Sequence, residues 1–316
     1  MTERREDQHQ RFLETPPSAT ELAAVVSAIA PGARVRSVTR LPGGIASAVH
    51  RVDLERPDSS VVVRRFNDAL PWHRAERVKR EATLLGALEA TPVPAPSVLL
   101  ADADGSATGC PMLVLSLLPG RSIDPPGDDA WAEELATTLA TIHDQSPPFD
   151  AEDWITFWRS ADALPDELGA HPRAQQVWSA LVHVRDELID ERWTLAHHDF
   201  HPGNTLWSDG HGRPTVSGVV DWPLAGGGYA AYDAVYCAFD TSLSKGPAAG
   251  ERFLRAYESI VGRTLHPGWR LVVATRALDE LDDWLDAYLG VGTALSLGEL
   301  HANFDAWLDA ALQLTT

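Results

Sequence analysis

The chain has 316 residues, a hydrophobic content of 44% and a net charge of −19, which fits a globular protein of one large or two ordinary domains. So acidic a surface argues against nucleic acid or an anionic membrane as a partner and favours cationic small molecules. The absence of a long apolar run and of an apolar N-terminal segment, together with only two cysteines, predicts a cytoplasmic protein that does not span a membrane.

The first third of the chain has the pattern of an antiparallel sheet. A polar and charged segment, 1–18, is expected to form a flexible tail. Short apolar runs rich in β-branched residues then alternate with turns of Pro, Gly, Asp and Ser. They predict helices over 20–30 and 75–90 and strands within 35–41, 48–54, 61–63, 98–101 and 112–118.

The remainder of the chain has mostly helical spacing after a break at Pro119-Gly120. Helices are predicted over 131–143 and 175–189 and from residue 232 almost to the end, with one embedded β-hairpin. We therefore predict an α+β protein with an N-terminal antiparallel sheet lobe, one main helix in that lobe, and a larger, mostly helical C-terminal lobe. The predicted divisions are 1–18 for the tail, 19–118 for a nucleotide-binding lobe and 119–316 for a catalytic and substrate-binding lobe.

The most specific motif is His197-His198-Asp199, followed by Asn204 five positions after the aspartate. This order matches the kinase catalytic loop H-x-D-x-x-x-x-N, which a metal-binding aspartate follows further along the chain. Here Asp221 ends the second strand of the predicted hairpin. A hairpin returns the chain to its start, so Asn204 and Asp221 can face one Mg²⁺ ion while Asp199 accepts a proton.

Two other interpretations of this loop stay open. Asp, Asn, Pro and Gly favour turns without any chemistry. Alternatively, His197, His198, Asp199 and His201 crowd five positions and could ligate zinc for hydrolysis. Against zinc, no second cluster of His or Cys stands out elsewhere in the sequence. Asp221, in register with Asn204, favours the kinase interpretation.

Two further features could contact phosphates. Gly43-Gly44 and Ser47 lie between two predicted strands and could cover phosphates with main-chain N–H groups and a hydroxyl, or simply form a hairpin turn. Arg64 ends a strand and Glu81 lies in the next helix; a strand cation bridged to a helix carboxylate positions phosphates in kinases. The alternative is that both are surface charges, since Arg65 and Arg80 stand beside them.

Several other patterns are weaker. The two lysines, Lys79 and Lys245, fit no phosphate-binding P-loop, so that class is excluded. Residues 226–231 match the dinucleotide pattern G-x-G-x-x-A, but that fold needs a parallel strand after the helix, so we expect an irregular link there. Four aspartates at 279, 282, 283 and 286 share a helix face, which indicates a solvated acidic surface or a wall that binds cations.

With these motifs in hand, the chain resembles the aminoglycoside phosphotransferase family of small-molecule kinases, which have the two-lobed protein-kinase-like fold. The resemblance covers most of 35–240. It is carried by Leu41-Pro42-Gly43-Gly44, Val61-Val62-Val63-Arg64-Arg65, Arg80-Glu81, Leu118-Pro119-Gly120, His197-x-Asp199, His201-Pro202-Gly203-Asn204, Val220-Asp221-Trp222 and Tyr232-Asp233.

The resemblance implies a role for each matched residue. Asp199 would be the catalytic base and Asn204 and Asp221 the Mg²⁺ ligands, with structural support from His197 and Asp233. It also implies that Arg64 and Glu81 position the phosphates, and that the segment 115–118, with Leu115 and Leu117, receives adenine through main-chain groups.

The implied function is an ATP- and Mg²⁺-dependent kinase that phosphorylates a hydroxyl on a small, cationic metabolite or antibiotic. Two residues depart from the family pattern. Arg64 stands where many members have lysine, which leaves a catalytically weak or inactive nucleotide-binding relative as the alternative. His198 replaces a common glycine, from which we expect an ordinary backbone conformation at that position.

Overall fold

The structure is a computed structural model that describes residues 2–41, 47–56, 58–67, 75–124, 126–151, 158–161, 163–166, 171–188, 192–210, 213–290 and 292–315. The chain divides into two compact units. The first comprises Met1–Thr91 and Ala95–Leu118, and the second comprises Pro92–Pro94 and Pro119–Thr316.

The first unit is built on one antiparallel sheet of five strands in the order β1-β2-β3-β5-β4. Its helices and strands are α1 (Thr2–Glu14), α2 (Ala19–Ile29), β1 (Arg34–Arg40), β2 (Ala48–Glu55), β3 (Ser59–Arg65), α3 (Ala75–Leu88), β4 (Val98–Asp102) and β5 (Met112–Ser116). The predicted sheet is confirmed, with every predicted strand present.

One face of this sheet forms the core of the first unit. Alternate residues of β2 are buried, as expected for a strand with one covered face. Val52 of β2 and Val63 of β3 pack with Val25 and Val26 of α2 in this core.

Helix α2 begins at a capping box. The Ser18 hydroxyl accepts the N–H of Glu21, and the Glu21 carboxylate accepts the N–H of Ser18.

Within the predicted tail, 1–18, residues 2–14 form helix α1 in the structure. Leu13 is buried, and the Phe12 ring lies 5.1 Å from the guanidinium carbon of Arg65. Arg65 also donates a hydrogen bond to the main-chain oxygen of Thr15. Apolar side chains near the end of a charged helix thus help to anchor it.

The second unit is mainly helical. It contains α4 (Asp129–His143), α5 (Ala174–Leu188), β6 (Trp193–Ala196), β7 (Thr205–Gly210), β8 (Arg213–Val219), β9 (Gly226–Tyr229), α6 (Ala230–Lys245), α7 (Pro247–Val261), α8 (Trp269–Ala274), α9 (Trp284–Gly290) and α10 (Leu297–Leu314). Helix α6 is buried from Ala230 to Leu243 and contacts α7, α8 and α10. Among the described residues, no helix combines the length and apolar character needed to span a membrane.

Two antiparallel strand pairs interrupt the helices. β7 pairs with β8, as the sequence predicted. β9 pairs with β6, so the irregular link expected at 226–228 is wrong. Glycine is required here by close packing, because a Cβ atom on Gly228 would lie 2.3 Å from Cε1 of His198. The low strand propensity of glycine hid this strand from the sequence pattern.

Candidate active site

The catalytic-loop motif lies between β6 and β7. A single turn of 3-10 helix, Pro202–Asn204, closes the loop, and His201 caps this turn by accepting the N–H of Gly203 at Nδ1. Asp199 is partly exposed, whereas His197 and His198 on its N-terminal side are buried. The loop therefore leaves part of Asp199 accessible to solvent, while the two residues before it are buried.

Asn204 is bonded directly to Asp199. Its Nδ2 atom donates to the main-chain oxygen of Asp199 at 2.9 Å and to the carboxylate Oδ2 at 3.2 Å. Because the amide nitrogen is used in this way, the amide oxygen of Asn204 faces away from Asp199. That oxygen is the atom that a Mg²⁺ ion would need, since this cation prefers oxygen ligands.

The hairpin brings Val220, the residue before Asp221, into main-chain contact with Asn204. Thr205 pairs with Val219, and the N–H of Val220 donates to the main-chain oxygen of Asn204 at 2.9 Å. Asp221 follows directly, with a left-handed φ of 65°, which non-glycine residues adopt rarely and mostly at functional sites or turns. The donor set of one amide and one carboxylate oxygen therefore fits Mg²⁺.

Asp233, in the first turn of α6, is hydrogen-bonded to the main chain of the catalytic loop. Its carboxylate accepts the N–H of His197 at 2.6 Å and the N–H of His198 at 2.8 Å. Nε2 of His143 lies 3.3 Å from the same carboxylate. All four residues are buried, so these bonds are shielded from water.

The two histidines of the motif have different surroundings. Nε2 of His197 lies 3.1 Å from the main-chain oxygen of Val220, and its ring centroid lies 4.6 Å from that of Trp222. His197 thus ties the end of β6 to the end of β8. His198 has φ of 63°, so the expectation of an ordinary backbone there is wrong. The position keeps the left-handed geometry that glycine would adopt without strain.

Two residues that contact Asp199 escaped the sequence analysis. The hydroxyl of Tyr236 donates to Oδ1 of Asp199 at 2.9 Å, and the guanidinium of Arg276 lies 3.6 Å from the same oxygen. Burial raises the pKa of Asp199, but His201, Arg276, His197 and the Tyr236 hydroxyl together lower it below its ordinary value. Tyr236 lies three positions after the motif residue Asp233 on helix α6, whereas no local pattern marks Arg276.

A second buried carboxylate, Asp240, lies one helical turn beyond Tyr236. Its Oδ1 atom accepts the hydroxyl of Tyr288 at 2.9 Å and lies 3.7 Å from Nδ1 of His201. Burial raises the pKa of Asp240, and the charge of Asp199 adds to this effect. The ring of Trp284 packs edge-on against Tyr236. The sequence analysis did not single out Asp240.

The first unit holds the predicted cation–carboxylate pair. Nη1 of Arg64 on β3 lies 2.5 Å from Oε1 of Glu81 on α3, and both side chains are buried. Nε of Arg64 lies 3.3 Å from the hydroxyl of Ser47. The alternative of two surface charges is therefore wrong for this pair.

The other predicted nucleotide contacts have simpler positions. Leu115 is buried on β5, and Leu117 follows that strand and is partly buried. Gly43 and Gly44 lie outside the described residues.

The aspartates at 279, 282, 283 and 286 are all exposed, in agreement with a solvated surface. Within the described ranges, no three His, Cys, Asp or Glu side chains form a group that could hold a metal.

Comparison with known proteins agrees with this geometry. The chain belongs to the phosphotransferase enzyme family, whose model matches residues 37–272. Over 154 residues it is 32% identical to viomycin phosphotransferase of Streptomyces vinaceus, a match that covers 41% of this chain and 51% of that protein. The match thus spans about half the length of that relative. The family resemblance read from the motifs is confirmed.

Solved structures show the same fold. Choline kinase LicA of Streptococcus pneumoniae is 16% identical, with a TM-score of 0.60 over 92% of this chain and 98% of that one. A thermostable mutant of aminoglycoside phosphotransferase APH(4)-Ia, solved with AMP-PNP and hygromycin B, is 17% identical, with a TM-score of 0.61 over 94% and 99%. The predicted α+β, kinase-like fold is therefore confirmed.

Proposed function

We propose that the protein is an ATP- and Mg²⁺-dependent kinase that transfers a phosphoryl group to a hydroxyl of a small molecule. The observation that carries the proposal is the arrangement at the end of the hairpin. Asn204 is bonded to the Asp199 carboxylate, and its main chain is bonded to the residue before Asp221. These bonds support a site in which a base and two oxygen ligands for a cation act together, as phosphoryl transfer requires. Membership of the phosphotransferase family supports the same conclusion.

Asp199 acts as the base in this mechanism. Its carboxylate accepts the proton of the acceptor hydroxyl while the new oxygen–phosphorus bond forms and the bond to the departing ADP breaks. Asn204 and Asp221 would hold Mg²⁺ through oxygen atoms, and the ion would supply positive charge for the phosphate oxygens. His197 and Asp233 keep the loop in place, so catalysis depends on positioning and electrostatics.

We assign nucleotide binding to residues of the first unit and catalysis and acceptor binding to the second. Arg64, aligned by Glu81 at 2.5 Å, contacts the phosphates. Gly43, Gly44 and Ser47 contribute main-chain and hydroxyl groups to the phosphates. Leu115 and Leu117 belong to the segment that receives adenine. Arginine can take this role because its planar fork binds carboxylate and phosphate together.

The acceptor that best fits the site is a cation. Trp284 packs against Tyr236, which is bonded to the base, and Asp240, bonded to Tyr288, lies one turn of α6 beyond Tyr236. Carboxylates and aromatic rings bind ammonium ions. The net charge of −19 would attract the same class of molecule. We therefore propose a hydroxylated, amine-bearing metabolite or antibiotic, with peptide antibiotics included because of the viomycin phosphotransferase relative. ATP as donor and two free cysteines favour action in the cytoplasm.

The test is an ADP-release screen with Mg·ATP and four acceptor classes: aminoglycosides, macrolides, peptide antibiotics and amino alcohols. We expect one class to stimulate ADP release, and Asp199→Asn to lower kcat by about 10²–10⁴-fold while Mg·ATP still binds in calorimetric titration. Retained phosphorylation by Asp199→Asn would contradict the assigned base. Tight binding of Mg·ATP without turnover across the panel would instead support the alternative, a non-catalytic nucleotide-binding relative.

A further inference from the structure

Arg276, which follows α8, contacts the catalytic loop although it lies beyond the family match at 37–272. We propose that Arg276 is a positioning residue that fixes the main chain at His198 and the ring of Tyr236, and thereby holds the carboxylate of Asp199 in place. The inference rests on the proposed function, because it gives Asp199 the role of base.

The first argument concerns the main chain. His198 has a left-handed φ of 63°, a conformation that its surroundings must impose on a non-glycine residue. Its N–H donates to Asp233 at 2.8 Å, and its carbonyl oxygen accepts from Nη1 of Arg276 at 3.2 Å. The peptide groups on both sides of His198 are therefore bound. Asp199 is the next residue, so the peptide held by Arg276 sets the direction in which its side chain leaves the backbone.

The second argument concerns the side chains. The guanidinium carbon of Arg276 lies 4.9 Å from the centroid of the Tyr236 ring, within the range of a cation–π contact. Tyr236 in turn donates to Asp199 at 2.9 Å. Nη1 of Arg276 also donates to the hydroxyl of Tyr232 at 3.1 Å, and the rings of Tyr232 and Tyr236 stack with an interplanar angle of 4°. Arg276 therefore contacts the ring of Tyr236, and Tyr236 in turn is hydrogen-bonded to the proposed base, Asp199.

The geometry of these contacts explains why the residue is an arginine. Nη1 donates to the carbonyl oxygen of His198 and to the hydroxyl of Tyr232. Nη2 lies 3.6 Å from Asp199, and the guanidinium lies over the ring of Tyr236. A lysine ammonium has no planar face and no fixed fork, so it could keep the nearby positive charge but not all of these contacts together. At 3.6 Å, the distance to Asp199 exceeds that of a hydrogen bond, so Arg276 acts on the base mainly through the loop and Tyr236.

The test compares Arg276→Met and Arg276→Lys with a matched control, Arg270→Met. Arg270 is also an arginine of this segment, bonded to Glu251 at 2.6 Å and placed 4.8 Å from the Trp307 ring centroid. Among the described residues it forms no hydrogen bond or ion pair with the catalytic loop. Hydrogen–deuterium exchange is followed in peptides covering 197–204, with α10 as internal reference, and ADP release is measured with the acceptor found in the screen.

We expect Arg276→Met to speed exchange in 197–204 at least tenfold and to lower kcat about 10²-fold, with KM for ATP within twofold, since small displacements of a base cost this much. Arg276→Lys should recover only part of both losses. Tyr236→Phe should lower kcat about tenfold while exchange of the loop stays within twofold of the wild type. Arg270→Met should leave loop exchange and kcat within twofold, even where its melting temperature falls.

Unchanged loop exchange in Arg276→Met would overturn the proposal, and so would an equal loss of kcat in Arg270→Met, which would indicate general destabilisation. If the wild type releases no ADP with any acceptor, the proposed function fails. The exchange measurement still decides in that case whether Arg276 fixes the loop, so the two failures can be told apart.

Discussion

The carboxylate of Asp233 accepts the main-chain N–H of His197 at 2.6 Å although 36 residues separate them in the sequence. Its second oxygen accepts the N–H of His198 at 2.8 Å. Burial raises the pKa of Asp233, but the hydrogen bond with His143 and the charges of the neighbouring histidines lower it overall. Because Asp233 lies in the first turn of α6, the helix dipole also favours its negative charge. One buried carboxylate therefore joins the catalytic loop to the central helix of the second unit.

Asp233→Asn tests this connection. The variant keeps one oxygen as acceptor but presents an NH₂ group to the other main-chain N–H, so two donors face each other. We expect the free energy of unfolding to fall by about 1.5–3 kcal/mol, the range for hydrogen bonds to charged groups. Urea denaturation measures the change. Asp286→Asn, at an exposed position, serves as the control, and a loss below about 0.5 kcal/mol in Asp233→Asn, typical of surface changes, would show that the loop does not depend on this carboxylate.

His198 offers a test of backbone strain. Both His198→Gly and His198→Ala remove the buried ring, so the space they leave is nearly the same. Alanine must still adopt φ of 63°, whereas glycine does so at no steric cost. We expect the glycine variant to be more stable than the alanine variant by about 1 kcal/mol, the reverse of their order in a helix. Equal stabilities in urea denaturation would mean that the loop relaxes out of the left-handed conformation.

The same histidine makes stability depend on pH. Burial lowers the pKa of His198 from 6.5 to about 4, and Arg276 and His197 add to the effect while Asp233 opposes it. The unfolded chain therefore binds more protons than the folded one between these values. With respect to this group, the free energy of unfolding is therefore highest above pH 6.5. It falls as the pH is lowered from 6.5 to about 4, by about 3 kcal/mol in total. Thermal unfolding from pH 7 to pH 4 should show a smaller decline in His198→Gly; an identical decline would assign the acid sensitivity to other groups.

Much of this arrangement could be predicted because its signals are local. Strand alternation and turn residues predicted the sheet, and the turn residues at 209–212 predicted the β7–β8 hairpin between Asn204 and Asp221. The pair Arg64–Glu81 followed from a strand end and the apolar side of a helix. In each case the partners are set by a short stretch of regular secondary structure.

The features that were missed depend on partners far away in the sequence. Arg276 contacts His198 across 78 positions, and nothing in its own neighbourhood records that contact. The charged composition of the N-terminal segment outweighed the anchoring side chains of Phe12 and Leu13. At His198 the residue type argues against a left-handed backbone, and only the bonds to Asp233 and Arg276 impose it.

The buried pair of Arg64 and Glu81 should be strongly coupled. Their atoms lie 2.5 Å apart with both side chains buried, so removing the cation leaves a carboxylate in a medium that solvates it poorly. We expect Arg64→Met to lower the free energy of unfolding by about 3–5 kcal/mol, and the double variant Arg64→Met/Glu81→Met to recover at least about 2 kcal/mol of that loss. Urea denaturation of the two single variants and the double variant gives the coupling energy.

The matched control for this cycle is the pair of Arg36 and Asp58, which are 2.8 Å apart but have side chains that are 49% and 82% exposed. Its coupling should stay below about 1 kcal/mol, as for exposed ion pairs. Mg·ATP binding should weaken in Arg64→Met and stay unchanged in Arg36→Met, because only the buried guanidinium is assigned to the phosphates. Equal coupling energies for the two pairs would show that burial does not strengthen the contact. Unchanged ATP affinity in Arg64→Met would remove this arginine from the nucleotide site and leave the pair with a structural role only.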